Sequence, residues 1–162
     1  MIEKTGVAPS ALVKKEFPEK IVLKKPKAVI ECYKDIPCNP CETSCPFDAI
    51  EVPDDINHRP VIDFEKCTGC GICVYNCPGL AINVFQLKDD KVLMKIPYEF
   101  SPLPKIGKQV NVMNRAGEKV TEGVITKVQN TKKHNKTALI HIEIPSAFLY
   151  DAITIEVKPH EA

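Results

Sequence analysis

The chain has 162 residues, enough for one ordinary domain or two small ones. It is 44% hydrophobic and 27% charged, a globular composition that excludes disordered and fibrous classes. Its 22 basic and 21 acidic residues leave a net charge of +1, which excludes an electrostatic grip on nucleic acid by the chain as a whole.

No apolar run approaches the ~20 residues of a membrane helix. Met1-Ile2-Glu3-Lys4 lacks the basic start and apolar core of a secretory leader, so a cytoplasmic protein without a membrane span is expected. Eight cysteines in such a chain point to metal or redox chemistry rather than to a disulfide scaffold.

Residues 1–27 read as an N-terminal arm with 7 Lys against 3 Glu and with Pro9, Pro18 and Pro26 as breakers. Ala11, Leu12 and Lys14–Glu16 favour a short helix over Ser10–Phe17. The segment has too little apolar content to fold alone. Leu12, Val13, Phe17 and Ile21–Leu23 fit an arm that docks on a partner or wraps the core, and partner docking is the expectation.

Residues 28–87 hold all eight cysteines. The second group reads Cys67-x2-Cys70-x2-Cys73-x3-Cys77-Pro78 and the first Cys32-x5-Cys38-x2-Cys41-x3-Cys45-Pro46. Two-residue gaps wrap three thiolates around one face of a cubane iron–sulfur core, and the fourth, before Pro, reaches a second cluster. Zinc competes for any C-x2-C pair, but zinc sites pair two such hooks or use His, and do not require this three-then-one run. A shift of 32 residues superposes Cys38 on Cys70, Cys41 on Cys73 and Cys45 on Cys77, together with Val29-Ile30-Glu31 on Val61-Ile62-Asp63 and Ala49-Ile50 on Ala81-Ile82. Each copy thus reads as strand, cysteine loop, short helix starting at Pro46 or Pro78, then strand.

On these motifs residues 28–87 resemble the bacterial-type ferredoxins with two [4Fe–4S] clusters, which implies a pseudo-twofold β-α-β core. The resemblance implies one cluster on Cys67, Cys70, Cys73 and Cys45, and another on Cys38, Cys41 and Cys77 plus one further ligand. The chain departs from the pattern at that ligand, because the shift sets Asp35 opposite Cys67 and Cys32 opposite Phe64. Three readings remain. Cys32 reaches the iron through a rearranged loop, Asp35 ligates through oxygen, or the corner is empty and the cluster is [3Fe–4S]. Thiolate is the better donor for a soft core, and Cys32 would leave no cysteine over.

Around these loops, Gly69 and Gly71 spare the sulfides crowding and present N–H groups to sulfur, or simply serve as turn glycines. Ile36, Ile50, Val61, Ile62, Ile72, Leu80 and Ile82 are the expected apolar shell. Tyr33, Phe64 and Tyr75 are expected to pack against the cores rather than relay electrons. His58 is expected as a solvated loop residue.

Residues 88–104 read as a linker, marked by Pro97, Pro102 and Pro104, although Val92–Ile96 is strand-like. Residues 105–162 alternate as short strands at Gln109–Asn114, Val120–Val128, Thr137–Ile144 and Ile153–Val157, with a short helix over Pro145–Ala152. This texture predicts a small β-barrel of SH3-like size, and an α+β fold for the chain as a whole. Lys132, Lys133, His134 and Lys136 form a basic cluster, expected as a solvated loop tip, since no aromatics are interleaved for base stacking.

No dinucleotide fingerprint, P-loop or catalytic triad is legible, so the chemistry expected is that of a cofactor. The run Ile30-Glu31-Cys32-Tyr33-x3-Pro37-Cys38-Asn39-Pro40-Cys41, with extensions on both sides of the core, looks like the small iron–sulfur subunits of flavin-dependent amino-acid or opine-type dehydrogenases. That implies a flavin-containing dehydrogenase subunit as partner in a hetero-oligomer, in an oxygen-poor cytoplasm. Alternatives are a free ferredoxin shuttle, a zinc-stabilised interaction or nucleic-acid-binding module, and a self-contained reductase. By region the charge divides into +4 for residues 1–27, −6 for 28–87 and +3 for 88–162, an acidic core between two basic extensions. Such a core can steer electron-transfer partners.

Overall fold

The computed structural model describes residues 2–158; Met1 of the expected arm and 159–162 of the expected barrel lie outside the described residues. The elements are α1 (Ile2–Thr5), α2 (Ser10–Glu16), β1 (Lys27–Ile30), α3 (Pro40–Thr43), β2 (Ile50–Glu51), β3 (Val61–Ile62), α4 (Ile72–Asn76), β4 (Ile82–Lys88), β5 (Lys91–Tyr98), β6 (Gln109–Met113), β7 (Lys119–Gln129), β8 (Ala138–Pro145) and β9 (Thr154–Glu156). Seven strands form one antiparallel sheet in the order β1-β4-β5-β8-β7-β6-β9, and β2 and β3 form a separate hairpin-sized pair.

The internal repeat is visible in the pairing. Ile30 faces Ile82 where β1 meets β4, and Ile62 faces Ile50 where β3 meets β2; the 32-residue shift exchanges these two pairs. The Glu31 N–H donates to the Ala81 carbonyl and the Asp63 N–H to the Ala49 carbonyl, both at 2.8 Å, again exchanged by the shift. Each copy therefore contributes one strand to the other copy's pair.

Strand alternation then splits the core in two. Val29 and Phe85 point into a cluster with Met94, Ile96, Ile140 and Ile142. Ala28, Ile30, Ile82 and Val84 point the opposite way, onto Cys41, Cys67, Cys73 and Val74. Strands β1 and β4 of the large sheet are thus buried on both faces and form the wall between the cysteine cluster and the larger core.

Several sequence expectations differ from this architecture. Residues 88–104 are not simply a linker: β5 lies within them and pairs along its length with β8. Pro97 is tolerated because β4 pairing ends at Lys95, so its missing N–H interrupts no ladder on that side. The strands after residue 105 accordingly form no sheet of their own. The arm packs inward rather than reserving its apolar face for a partner. Val13, Phe17 and Leu23 are buried in the larger core, with Phe17 stacked 4.8 Å from Phe85 and 5.1 Å from Tyr150 between ring centres. Finally, the short helices of the repeat lie inside the cysteine loops, α3 and α4 ending before Pro46 and Pro78. Proline follows the helix as a stop, because it cannot continue the hydrogen-bond ladder.

The strand order has its ends brought together by side chains. Arg115, in the β6–β7 turn, forks onto the carboxylate of Glu31 just beyond β1. The Asn83 side-chain amide on β4 donates to the Ile153 carbonyl beside β9 at 3.3 Å. Over Pro145–Ala152, where a short helix was expected, the chain forms a single 3-10 turn at Ser146–Phe148.

Candidate metal centres

The eight thiols gather around two cavities. Cys45, Cys67, Cys70 and Cys73 line one, with Ala49, Ile50 and the two loop glycines. Cys32, Cys38, Cys41 and Cys77 line the other, with Ile30, Ile36 and Ile82. Each cavity combines three cysteines from one loop, or its approach, with the Cys of the other copy's Cys-Pro step. Asp35 is exposed and is not among the residues lining either cavity.

Four thiols set around a cavity, rather than converging on one point, suit a polyatomic core. A zinc ion would instead draw four sulfurs to ~2.3 Å from one point, and among the described residues no three His, Cys, Asp or Glu side chains converge in that way. The donor chemistry agrees with iron–sulfur, since all eight donors are soft sulfurs.

Burial governs the thiols' acidity. The Cys73 thiol is pushed up to about 12, first by desolvation and then by Cys67, Cys70, Cys45 and Cys41 nearby. Cys41 is pushed up to about 11 by burial, with Cys77 and Cys38 adding to it. Burial also raises Cys32, followed by its neighbour Cys77. Four thiolates gathered in one ring repel unless a cationic core sits among them, so loading displaces protons.

Backbone amides reach several sulfurs. The Ala49 N–H donates to Cys45 Sγ and the Ala81 N–H to Cys77 Sγ, each at 3.4 Å, exchanged by the repeat. The Ala28 N–H donates to Cys67 Sγ at 3.4 Å. Gly69 and Gly71 have φ of +68° and +89°, and their neighbours explain their identity. A Cβ on Gly69 would lie 2.5 Å from the Pro26 carbonyl oxygen, and one on Gly71 2.8 Å from Leu139 Cδ2. The glycines let β1's approach and β8 press on the loop.

The apolar shell is partly as expected. Ile50 and Ile82 are buried, but Ile36, Val61 and Leu80 are exposed. His58 is solvated, 3.5 Å from Asp55. His134, by contrast, is no loop-tip residue: it is 2% exposed and stacks 4.4 Å from Tyr75 of α4.

Four residues bearing on the cavities escaped sequence reasoning. Lys27 Nζ donates to the Cys67 carbonyl at 2.6 Å and Lys95 Nζ to the Gly69 carbonyl at 2.6 Å. Arg59 Nε donates to the Cys32 carbonyl at 2.7 Å while its Nη2 bonds Glu16. Arg115 holds Glu31, beside Cys32. All four contacts span at least 26 residues, and no local pattern announces them.

A chain that folds an eight-cysteine repeat into two four-thiol cavities is an iron–sulfur protein of the two-cluster kind. Residues 36–81 match the family model described as a 4Fe-4S dicluster domain. The chain is 36% identical over 58 residues to the ferredoxin-type protein NapF of Haemophilus influenzae, covering 35% of this chain and 33% of that protein. It is 53% identical over 38 residues to a component of the Na(+)-translocating ferredoxin:NAD(+) oxidoreductase complex of Acetobacterium woodii, 24% of this chain and 11% of that one. It is 34% identical over 65 residues to the pyruvate synthase subunit PorD of Methanocaldococcus jannaschii, 40% of this chain and 71% of that subunit. The chain thus spans a third or less of the first two relatives, and no solved structure matches it. It belongs to the 4Fe–4S dicluster ferredoxins and carries two [4Fe–4S] clusters. No helix among the described residues is long and apolar enough to cross a membrane.

Proposed function

We propose that the chain transfers single electrons as the iron–sulfur subunit of a hetero-oligomeric oxidoreductase, accepting them from a flavin-containing dehydrogenase subunit. The observation that carries the electron-transfer reading is the pair of repeat-related cavities, each ringed by four cysteines. Cys45, Cys67, Cys70 and Cys73 hold one cluster, and Cys32, Cys38, Cys41 and Cys77 the other, within a ferredoxin-like β-α-β core over residues 28–87. The clusters supply reversible one-electron chemistry when bound. The protein's residues fix their distance and orientation, exclude water from the buried thiols, and tune their charge.

The subunit role draws support from the relatives named as parts of larger complexes, the component of the sodium-translocating oxidoreductase and PorD. The residues flanking the cysteine repeat support it too. The seven-stranded sheet, five of whose strands come from residues 91–156, packs on the acidic cysteine lobe through β1, β4 and Leu139 of β8.

Anaerobic purification from the native host tests both parts. Brown protein that bleaches with dithionite, carrying iron and sulfide for two cubanes and eluting with a flavoprotein, is the expected result. A solitary brown species would replace the subunit reading by a free shuttle. Colourless protein holding zinc would end the electron-transfer reading.

A further inference from the structure

The two cavities are related by the repeat, but their polar surroundings are not. Around Cys45, Cys67, Cys70 and Cys73, two amides reach ligand sulfurs, Ala28 to Cys67 and Ala49 to Cys45. Around the other cavity the repeat retains the second of these, Ala81 to Cys77. It cannot retain the first. The residue equivalent to Ala28 is Pro60, which has no N–H, and the residue equivalent to Cys67 is Asp35.

The cations differ in the same direction. Lys27 is 7% exposed, and its ammonium meets the Cys67 carbonyl. Lys95 is half-buried and meets the Gly69 carbonyl, in the same loop. Each donates to a neutral main-chain oxygen, so its charge acts on the cavity uncancelled. At the other cavity Arg59 is paired with Glu16, His58 with Asp55 and Arg115 with Glu31. Lys34 lines that cavity but is exposed, where solvent screens it. Pro26 and Leu139 close over the Cys67–Cys73 loop, so the buried lysine and amides act there through a low dielectric.

We propose that Lys27, Lys95 and the Ala28 amide raise the reduction potential at Cys45, Cys67, Cys70 and Cys73 above that of the repeat-related site, making it the place where a single electron rests. Reduction adds one electron, forms and breaks no bond and requires no proton. The added negative charge is stabilised by nearby cations and by N–H dipoles on the sulfurs. Lys95 belongs to β5, outside the cysteine repeat, so the large sheet is a tuning element as well as a support. The inference rests on the ligand assignment proposed above.

An EPR-monitored redox titration of the full chain, purified anaerobically, tests it. The wild type shows two one-electron midpoints. Cys70→Ser alters the line shape of the higher one, assigning it. Lys95→Gln and Lys27→Gln each move that midpoint down and narrow the gap, while the lower midpoint stays in place. Lys95→Arg, which keeps the charge, leaves both where they were. The proposal fails if Cys70→Ser marks the lower midpoint, if neither Gln variant moves the higher one, or if Lys95→Arg shifts it as far as Lys95→Gln does. Should Lys27→Gln not fold, Lys95→Gln at its half-exposed site decides alone. A wild type without two one-electron centres would overturn the electron-transfer reading itself, a result distinct from two centres that ignore the lysines.

Discussion

Glu31 and Arg115 lie 84 residues apart and meet as a forked ion pair at the end of β1, their side chains 8% and 12% exposed. The pair ties the β6–β7 turn to the residue preceding Cys32. Arg115 also donates to the Tyr150 carbonyl at 2.8 Å, and the Tyr33 hydroxyl donates to Glu31 at 2.9 Å. Burial, with the negative charge of Glu31, keeps that hydroxyl protonated well above the usual phenol range.

Removing one partner strands the other's charge. Arg115→Met is expected to cost about 3 kcal/mol, read as an earlier guanidinium midpoint for loss of visible absorbance. Adding Glu31→Gln removes the stranded carboxylate, and the double variant is expected to recover most of the loss. Equal loss in single and double variants would show that the guanidinium acts through Tyr150 instead.

At the corner where the repeat breaks, Cys32 lines the cavity with Cys38, Cys41 and Cys77, while Asp35 is exposed. Cys32→Ser is expected to change the EPR signal and midpoint of one cluster while leaving the other intact. Asp35→Asn is expected to change neither. A spectrum indifferent to Cys32→Ser, or a response to Asp35→Asn, would return the ligand to Asp35 or to a three-iron cluster.

Much of this site was readable because cluster ligation is a local demand. Three thiolates two residues apart must lie in one loop, and the cysteine before each Pro, with the resemblance to two-cluster ferredoxins, implies the exchange of Cys45 and Cys77 between copies. What could not be read is non-local. Pro97 resembles a linker residue until the pairing of β4 with β5 is seen to stop at Lys95. The hydrophobic positions Val13, Phe17 and Leu23 are equally suited to a partner or to the chain's own core. His134 sits among three lysines in sequence, yet its ring is buried against Tyr75. Lys27 and Lys95 carry no motif at all, since a lysine that serves a carbonyl 26 or 40 residues away looks like any surface lysine.

Gly69 is held at φ +68° with the Pro26 backbone 2.5 Å from where a Cβ would stand. A side chain there must displace main chain, not a flexible tip. Gly69→Ala is expected to destabilise by about 2 kcal/mol and to lower occupancy of the Cys45, Cys67, Cys70, Cys73 cluster first. Iron analysis and EPR spin counting check this. Gly79→Ala, which meets nothing within 4 Å, serves as the tolerated control.

His141 carries a pH prediction that is separate from the thiols. Burial, then the positive charges of Lys95 and Lys127, pull its imidazole down to about 4. Its Nε2 lies 2.7 Å from Gln129 Oε1, so the neutral ring donates there. In the unfolded chain the ring titrates near 6.5. Above pH 6.5 both states hold it neutral and it contributes nothing to pH dependence. Between pH 6.5 and 4 the unfolded chain takes up a proton that the folded chain refuses, so stability falls with pH across this window and levels off below it. The ring is only half-buried, and solvent screening reduces the loss to about 1 kcal/mol. His141→Gln removes the titration. The difference in denaturation midpoint between the two proteins should therefore grow in the variant's favour from pH 6.5 towards 4.5, with acid lability of the clusters cancelling between them. A difference that stays constant across this range would place the ring's pKa at its ordinary value.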